Sequence, residues 1–143
     1  MSGSPEETRE TGLKIGKLLK PGDVVCLYGE LGSGKTTLVK GIARAFGINE
    51  NDVVSASFTI ITEYDTQPAF SHIDLYRIEK GSELDDIGFW EQIKEPGISV
   101  IEWAEKADQW LPDNIISIRL TPSGEHDREI ELEVNDEKNW NNL

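Results

Sequence analysis

The stretch Gly29-Glu30-Leu31-Gly32-Ser33-Gly34-Lys35-Thr36 sets three glycines, a lysine and a hydroxyl within one tight turn. Glycines let successive backbone N–H groups close around phosphate oxygens, and a helix starting at the lysine adds partial positive charge there. In this pattern Lys35 reaches the β- and γ-phosphates, and the Thr36 hydroxyl ligates Mg²⁺. The stretch fits G-x-x-x-x-G-K-[ST], preceded by an apolar run (DVVCLYG) and followed by a helical one (KTTLVKGIARAFG). A chance glycine turn would not need those flanks. The expected chemistry is binding of a nucleoside triphosphate with Mg²⁺ through Gly32, Ser33, Gly34, Lys35, Thr36 and Thr37. Such a site also wants an acid at a strand end. ISVIEW offers Glu102, where a carboxylate faces the cation directly or through water. The alternative for Glu102 is an ordinary strand-end acid in solvent. Trp103 beside it reads first as core packing, with nucleotide gating or partner contact as the sharper alternative.

Two short matches point towards a GTPase and fail. Asp85 and Gly88 fit D-x-x-G without an apolar strand before them, and Glu105 to Asp108 imitate N-K-x-D without the asparagine. ATP is therefore favoured over GTP. A small-molecule phosphotransferase is the alternative function, but it would want clustered lid arginines over the transferred phosphate. The five arginines here, Arg9, Arg44, Arg77, Arg119 and Arg128, are scattered.

The elements that must hold these residues are legible. Glu6 to Lys20 carries Leu13, Ile15, Leu18 and Leu19 as an imperfect helical stripe, stopped by PGD. DVVCLYG and ISVIEW are continuous apolar runs, as buried parallel strands show. Leu38, Ile42 and Phe46 recur every fourth residue, with Gly47 as a stop. SFTIITEYD and PAFSHIDLY are predicted strands around a DTQP turn, and SELDDIGFWEQI predicts one or two short helices. WAEKADQWLP predicts a short helix ended by Pro112; IISIRLTP and the alternating REIELEV predict late strands. Together they imply an α/β fold, a mostly parallel sheet of the P-loop NTPase type flanked by helices.

The chain's 143 residues suit one domain (1–143) by the rough prior of ~100–200 residues each. Its formal charge of −13 is uneven: residues 1–47 hold seven Lys/Arg against five Asp/Glu, residues 48–143 seven against twenty-two. A protein that neutralises nucleic-acid phosphates needs a basic face, so direct tRNA or DNA binding is not expected. The acidic portion reads as a solvated face, or more sharply as a surface for a basic protein. The single cysteine, Cys26, lies in an apolar run and excludes an internal disulfide. No apolar stretch approaches the ~18 residues of a membrane span, and MSGSPEETRE has no signal-peptide core. A cytoplasmic location is expected.

GELGSGKTT, SASFTIITEY, SHIDLYR and VIEW, in this order, resemble the TsaE (YjeE) family of bacterial ATPases of tRNA threonylcarbamoyladenosine synthesis. The resemblance runs from about Glu7 to Val134, and H-x-D-L-Y-R behind a P-loop is its most specific part. It departs at Ser55-Ala56-Ser57-Phe58-Thr59, where the family has S-P-T-F-T, and in a short N-terminal segment that implies a reduced or absent leading strand. The resemblance implies one ATP–Mg²⁺ site and work with TsaD and TsaB, tRNA being met only through that complex. It implies Glu102 as the metal-site acid and places Thr8 and Arg128 near the nucleotide. Asp74 would orient the attacking water or support the metal from outside. His72 is expected as a satisfied structural histidine, and Arg77 as a phosphate contact, a partner contact or a surface salt bridge. Ser57 and Thr59 fall where a switch-like loop would sense the γ-phosphate.

Overall fold

The Ser4 hydroxyl accepts a hydrogen bond from the Glu7 N–H at 3.2 Å, with Pro5 in the first turn. That is a favourable helix start, because it satisfies an otherwise unpartnered N–H and uses a residue with none to lose. The computed structural model describes residues 2–30, 34–53, 61–94, 96–111, 115–124 and 127–134. Helix α1 (Pro5–Leu18) leads to β1 (Val24–Tyr28) and then α2 (Lys35–Arg44). After a 3₁₀ turn at Glu50–Asp52 come β2 (Ile61–Tyr64), β3 (Phe70–Asp74), α3 (Ser82–Asp86) and α4 (Phe89–Lys94). Next among the described residues come β4 (Ile98–Glu102), a 3₁₀ segment (Ala104–Trp110), β5 (Ile116–Pro122) and β6 (Arg128–Val134). Ahead of α1, Ser2 is a single bridge residue.

Among the described residues six strands form one sheet in the order β2-β3-β4-β1-β5-β6. Its four central strands are parallel, and β2 and β6 close the two edges antiparallel to their neighbours. The expected mostly parallel sheet with flanking helices is the observed fold. Within WAEKADQWLP the expected short helix is a 3₁₀ segment over Ala104–Trp110, and Pro112 lies outside the described residues.

Side chains alternate across a strand, so each central strand feeds two cores. Val25, Leu27, Phe70, Ile98 and Val100 meet Ile15 of α1 and Leu38, Val39 and Ile42 of α2. On the opposite face, Val24, Cys26, Ile73 and Ile101 meet Leu84 of α3 and Phe89 of α4. Cys26 is fully buried there as a small apolar side chain. His72 and Asp74 share the face of Phe70, and Glu102 that of Ile98 and Val100. All three acid or imidazole groups therefore lie on the α2 side of the sheet, at the carboxyl ends of parallel strands, where open α/β sheets bind ligands.

The expected stripe on α1 needs revision. Leu13 and Leu18 are only half-buried, whereas Thr8, Gly12, Ile15 and Gly16 form the buried face. The reason is a backbone-to-backbone crossing with α2. A methyl group on Gly41 would lie 2.1 Å from the Arg9 carbonyl oxygen, and one on Gly12 would lie 2.4 Å from that of Leu38. Small residues let the two helices touch, so α1 acts as a backing for the helix that begins at Lys35.

Candidate functional site

Gly34 sits at φ +101°, a left-handed conformation that side-chain-bearing residues seldom adopt, and its carbonyl accepts from Leu38 N at 2.9 Å. The chain thereby turns directly into α2, placing Lys35 and Thr36 in the first turn and Thr37 behind them. Among the described residues the α2 N-terminus has no side-chain cap, and its first turn carries no acidic residue, an electrostatic setting that suits an anion.

Lys35 is buried to 5% exposure. Its ammonium donates to the Gly29 carbonyl at 2.6 Å and lies 3.4 Å above the centre of the Trp103 ring. Burial lowers its pKa from the usual 10.5, and the carboxylates of Glu102, Glu105 and Asp74 pull in the opposite direction. The ammonium is thus held at depth between a carbonyl and a ring face.

Glu102 is 2% exposed at the end of β4, between Asp74 of β3 and Leu27 of β1 in the sheet register. Its Oε1 accepts from the Thr36 hydroxyl at 3.3 Å, and its Oε2 faces His72 Nε2 at 2.5 Å. Its backbone carbonyl accepts from Leu75 N at 3.1 Å. Thr36 and Glu102, 66 positions apart, are thus brought together as a hydroxyl–carboxylate pair at the helix N-terminus. That donor set suits Mg²⁺, which takes hard oxygen ligands, is commonly held by one or two protein groups, and keeps waters and phosphates for the rest. The solvent-exposed alternative for Glu102 is excluded by its burial.

Asp74 is buried beside Glu102, with Oδ1 accepting from Tyr76 N at 3.0 Å. Burial raises its carboxyl pKa; the Tyr76 N–H opposes that, and the Glu102 charge adds to it. Trp103, immediately after Glu102, adopts φ +58°, a strained conformation for a bulky side chain. It is half-buried against the second core, as expected for a packing residue, and has the exposed Tyr76 ring 5.1 Å away. A cleft of ≈ 520 Å³ opens beside this group, bounded by Gly29, Glu30, Trp103, Glu105, Arg119 and Pro122. A second hollow of ≈ 480 Å³ lies over β5 and β6; the first is the one bounded by the carbonyl that holds Lys35.

Other expected residues lie elsewhere or outside the description. The buried Thr8 hydroxyl is engaged with Ser2 Oγ at 2.6 Å and the Ser4 carbonyl at 3.2 Å. Arg128 begins β6 opposite Pro122, a residue of the cleft wall. Gly32, Ser33, Ser57 and Thr59 fall outside the described residues. Sequence reasoning missed His72 as the partner of Glu102, and Glu105 and Arg119 as cleft residues. Only the strand register brings His72 to Glu102; spacing alone carries no signal for it.

The sequence profile of the family described as "Threonylcarbamoyl adenosine biosynthesis protein TsaE" matches residues 2–130. The chain belongs to the TsaE family. It is 37% identical over 130 residues to the Treponema pallidum (strain Nichols) tRNA threonylcarbamoyladenosine biosynthesis protein TsaE, covering 91% of this chain and 96% of that one. The Bacillus subtilis (strain 168) TsaE is 41% identical over 128 residues, covering 89% and 79% respectively. The crystal structure of Bacillus YdiB superposes with a TM-score of 0.72 at 36% identity, covering 92% of this chain and 80% of that one. The family is one of tRNA threonylcarbamoyladenosine biosynthesis. Among the described residues, no helix of this TsaE-family chain is long and apolar enough to cross a membrane.

Proposed function

We propose that this chain binds ATP with Mg²⁺ and hydrolyses it in support of tRNA threonylcarbamoyladenosine synthesis, acting in the cytoplasm with TsaD and TsaB. The observation that carries this reading is the Thr36–Glu102 contact at 3.3 Å, with Lys35 buried alongside at the start of α2. Lys35 would neutralise phosphate charge, and Thr36 and Glu102 would hold the cation, which when bound spreads the charge of the transferring phosphoryl group. Asp74, on the next strand and the same face, would hold the attacking water or steady the cation's waters. The cleft walled by Trp103 and Arg119 would take the nucleoside.

On this reading the chain alone is a slow ATPase, and its partners raise the rate. P-loop hydrolysis depends on a positioned water and on extra positive charge, and a partner that supplies the missing group raises rates by ~10³–10⁵ in well-studied systems. The test is phosphate release by the chain alone and with TsaD, TsaB and tRNA. Slow release alone, accelerated by the partners, supports the reading. Transfer of phosphate to a metabolite instead would establish the phosphotransferase alternative. Intact ATP after long incubation with all partners would leave a binding module without hydrolysis.

A further inference from the structure

His72 has 0% exposure and sits in the middle of β3, directly opposite Val100 of β4. Glu102 is two positions beyond Val100 on the same face, a diagonal neighbour within reach of a long side chain. The two meet as His72 Nε2 to Glu102 Oε2 at 2.5 Å. The other ring nitrogen, Nδ1, is buried with no hydrogen-bond partner among the described residues. A carboxylate only accepts hydrogen bonds, so the proton between the two belongs on Nε2.

We propose that His72 is a positioning residue for the metal site: by donating from Nε2 to Glu102 Oε2, it holds Oε1 towards Thr36 and the divalent cation. The inference rests on Glu102 being the metal-site acid. Glutamate has three rotatable side-chain bonds, and a ligand free to turn would present either oxygen or neither. Here both ends are tied. The Leu75 N–H holds the Glu102 carbonyl at 3.1 Å, and His72 occupies Oε2, which leaves Oε1 for the 3.3 Å contact with Thr36. Outer partners of this kind orient ligands and, when removed, typically weaken metal binding ~10–100-fold. A merely structural histidine would satisfy the buried carboxylate, and its loss would damage folding and all nucleotide binding together.

The experiment measures ATP binding to the full chain by calorimetry, in excess EDTA and across a Mg²⁺ titration, for wild type, His72→Leu, His72→Gln, His72→Asn and Glu102→Gln. Glutamine can place an amide N–H close to the Nε2 position, whereas asparagine falls short of it. In His72→Leu, the half-saturating Mg²⁺ concentration should rise ~10–100-fold, with ATP affinity in EDTA unchanged. His72→Gln should recover most of the loss and His72→Asn should not. Unaltered Mg²⁺ dependence in His72→Leu overturns the proposal, and so does an equal loss of binding with and without metal. If His72→Leu does not fold, the Gln–Asn contrast decides: equal Mg²⁺ dependence in the two overturns it. Wild-type Mg²⁺ dependence in Glu102→Gln would remove Glu102 from the metal site and the proposal with it. A shift in Glu102→Gln without one in His72→Leu would overturn the positioning role alone.

Discussion

Replacing Lys35 with methionine should separate the cost of burying this cation from its use. In the free protein the ammonium is 5% exposed, and its burial outweighs the attraction of Glu102, Glu105 and Asp74. Its pKa is therefore lower folded than unfolded. At neutral pH the buried charge opposes folding, and the penalty shrinks as pH rises through the lowered value towards 10.5. Methionine keeps an apolar stem and removes the charge, so the free variant should melt no lower than wild type. Its gain from ATP should nearly vanish. A charge-assisted contact contributes about 1.5–3 kcal/mol, which weakens Kd by roughly 10–150-fold. With ATP–Mg²⁺ at 100 times the wild-type Kd, linkage stabilises wild type by about 2.7 kcal/mol. A 100-fold weaker site gains only about 0.4 kcal/mol under the same conditions. At about 2.1 cal/mol/K of unfolding entropy per residue, those gains correspond to Tm rises of roughly 9 °C and 1 °C. Differential scanning calorimetry with and without ATP–Mg²⁺ measures both. A variant whose ATP-induced rise equals that of wild type would refute the placement of Lys35 on the phosphates. A free variant that melts well below wild type would refute the burial argument.

Asp74→Asn should slow hydrolysis in the complete complex more than it weakens ATP binding, and parallel losses in rate and affinity would make Asp74 a binding or folding residue. Because burial raises the Asp74 pKa, its ionised form opposes folding above that pKa. Free Asp74→Asn should consequently gain in Tm over wild type as pH rises from the acid range to neutrality, a difference that thermal melts across pH would reveal. Gly41→Ala should lower stability by about 1–3 kcal/mol, an over-packing cost that exceeds the helix-propensity gain, since the added methyl meets the Arg9 carbonyl at 2.1 Å. Denaturant unfolding tests this, and an unchanged midpoint would mean that α1 shifts freely off α2. If TsaD and TsaB favour the ATP-bound form, ATP must tighten their binding by the factor by which they tighten ATP. Pull-downs under ATP, ADP and no nucleotide check that, and equal recovery in all three states would refute nucleotide-dependent association.

The local sequence determined what local physics can. The glycine-rich turn between an apolar run and a helical pattern led to the expectation of a phosphate loop, and glycine readily supplies the conformation seen at Gly34. Continuous apolar runs marked β1 and β4 as buried on both faces, and the strand-end position of Glu102 marked it as a candidate acid. The tertiary structure decided which of these groups meet. Register set Asp74 beside Glu102 and His72 diagonal to it, and no spacing along the chain encodes a partner 30 residues away. The packing face of α1 is only partly legible for a related reason: Ile15 and Leu19 of the expected stripe are buried, whereas Leu13 and Leu18 are half-buried. Its contact with α2 uses glycines rather than leucines, so a hydrophobic pattern undercounts a surface whose merit is the side chain it lacks. Trp103 shows the same division: its sequence position suggested core area, whereas its positive φ and the ammonium above its ring depend on how β4, α2 and the turn after Asp74 come together. Residue types determine which chemistry is available, but the exclusion of water that strengthens it is a property of the assembled sheet and helices.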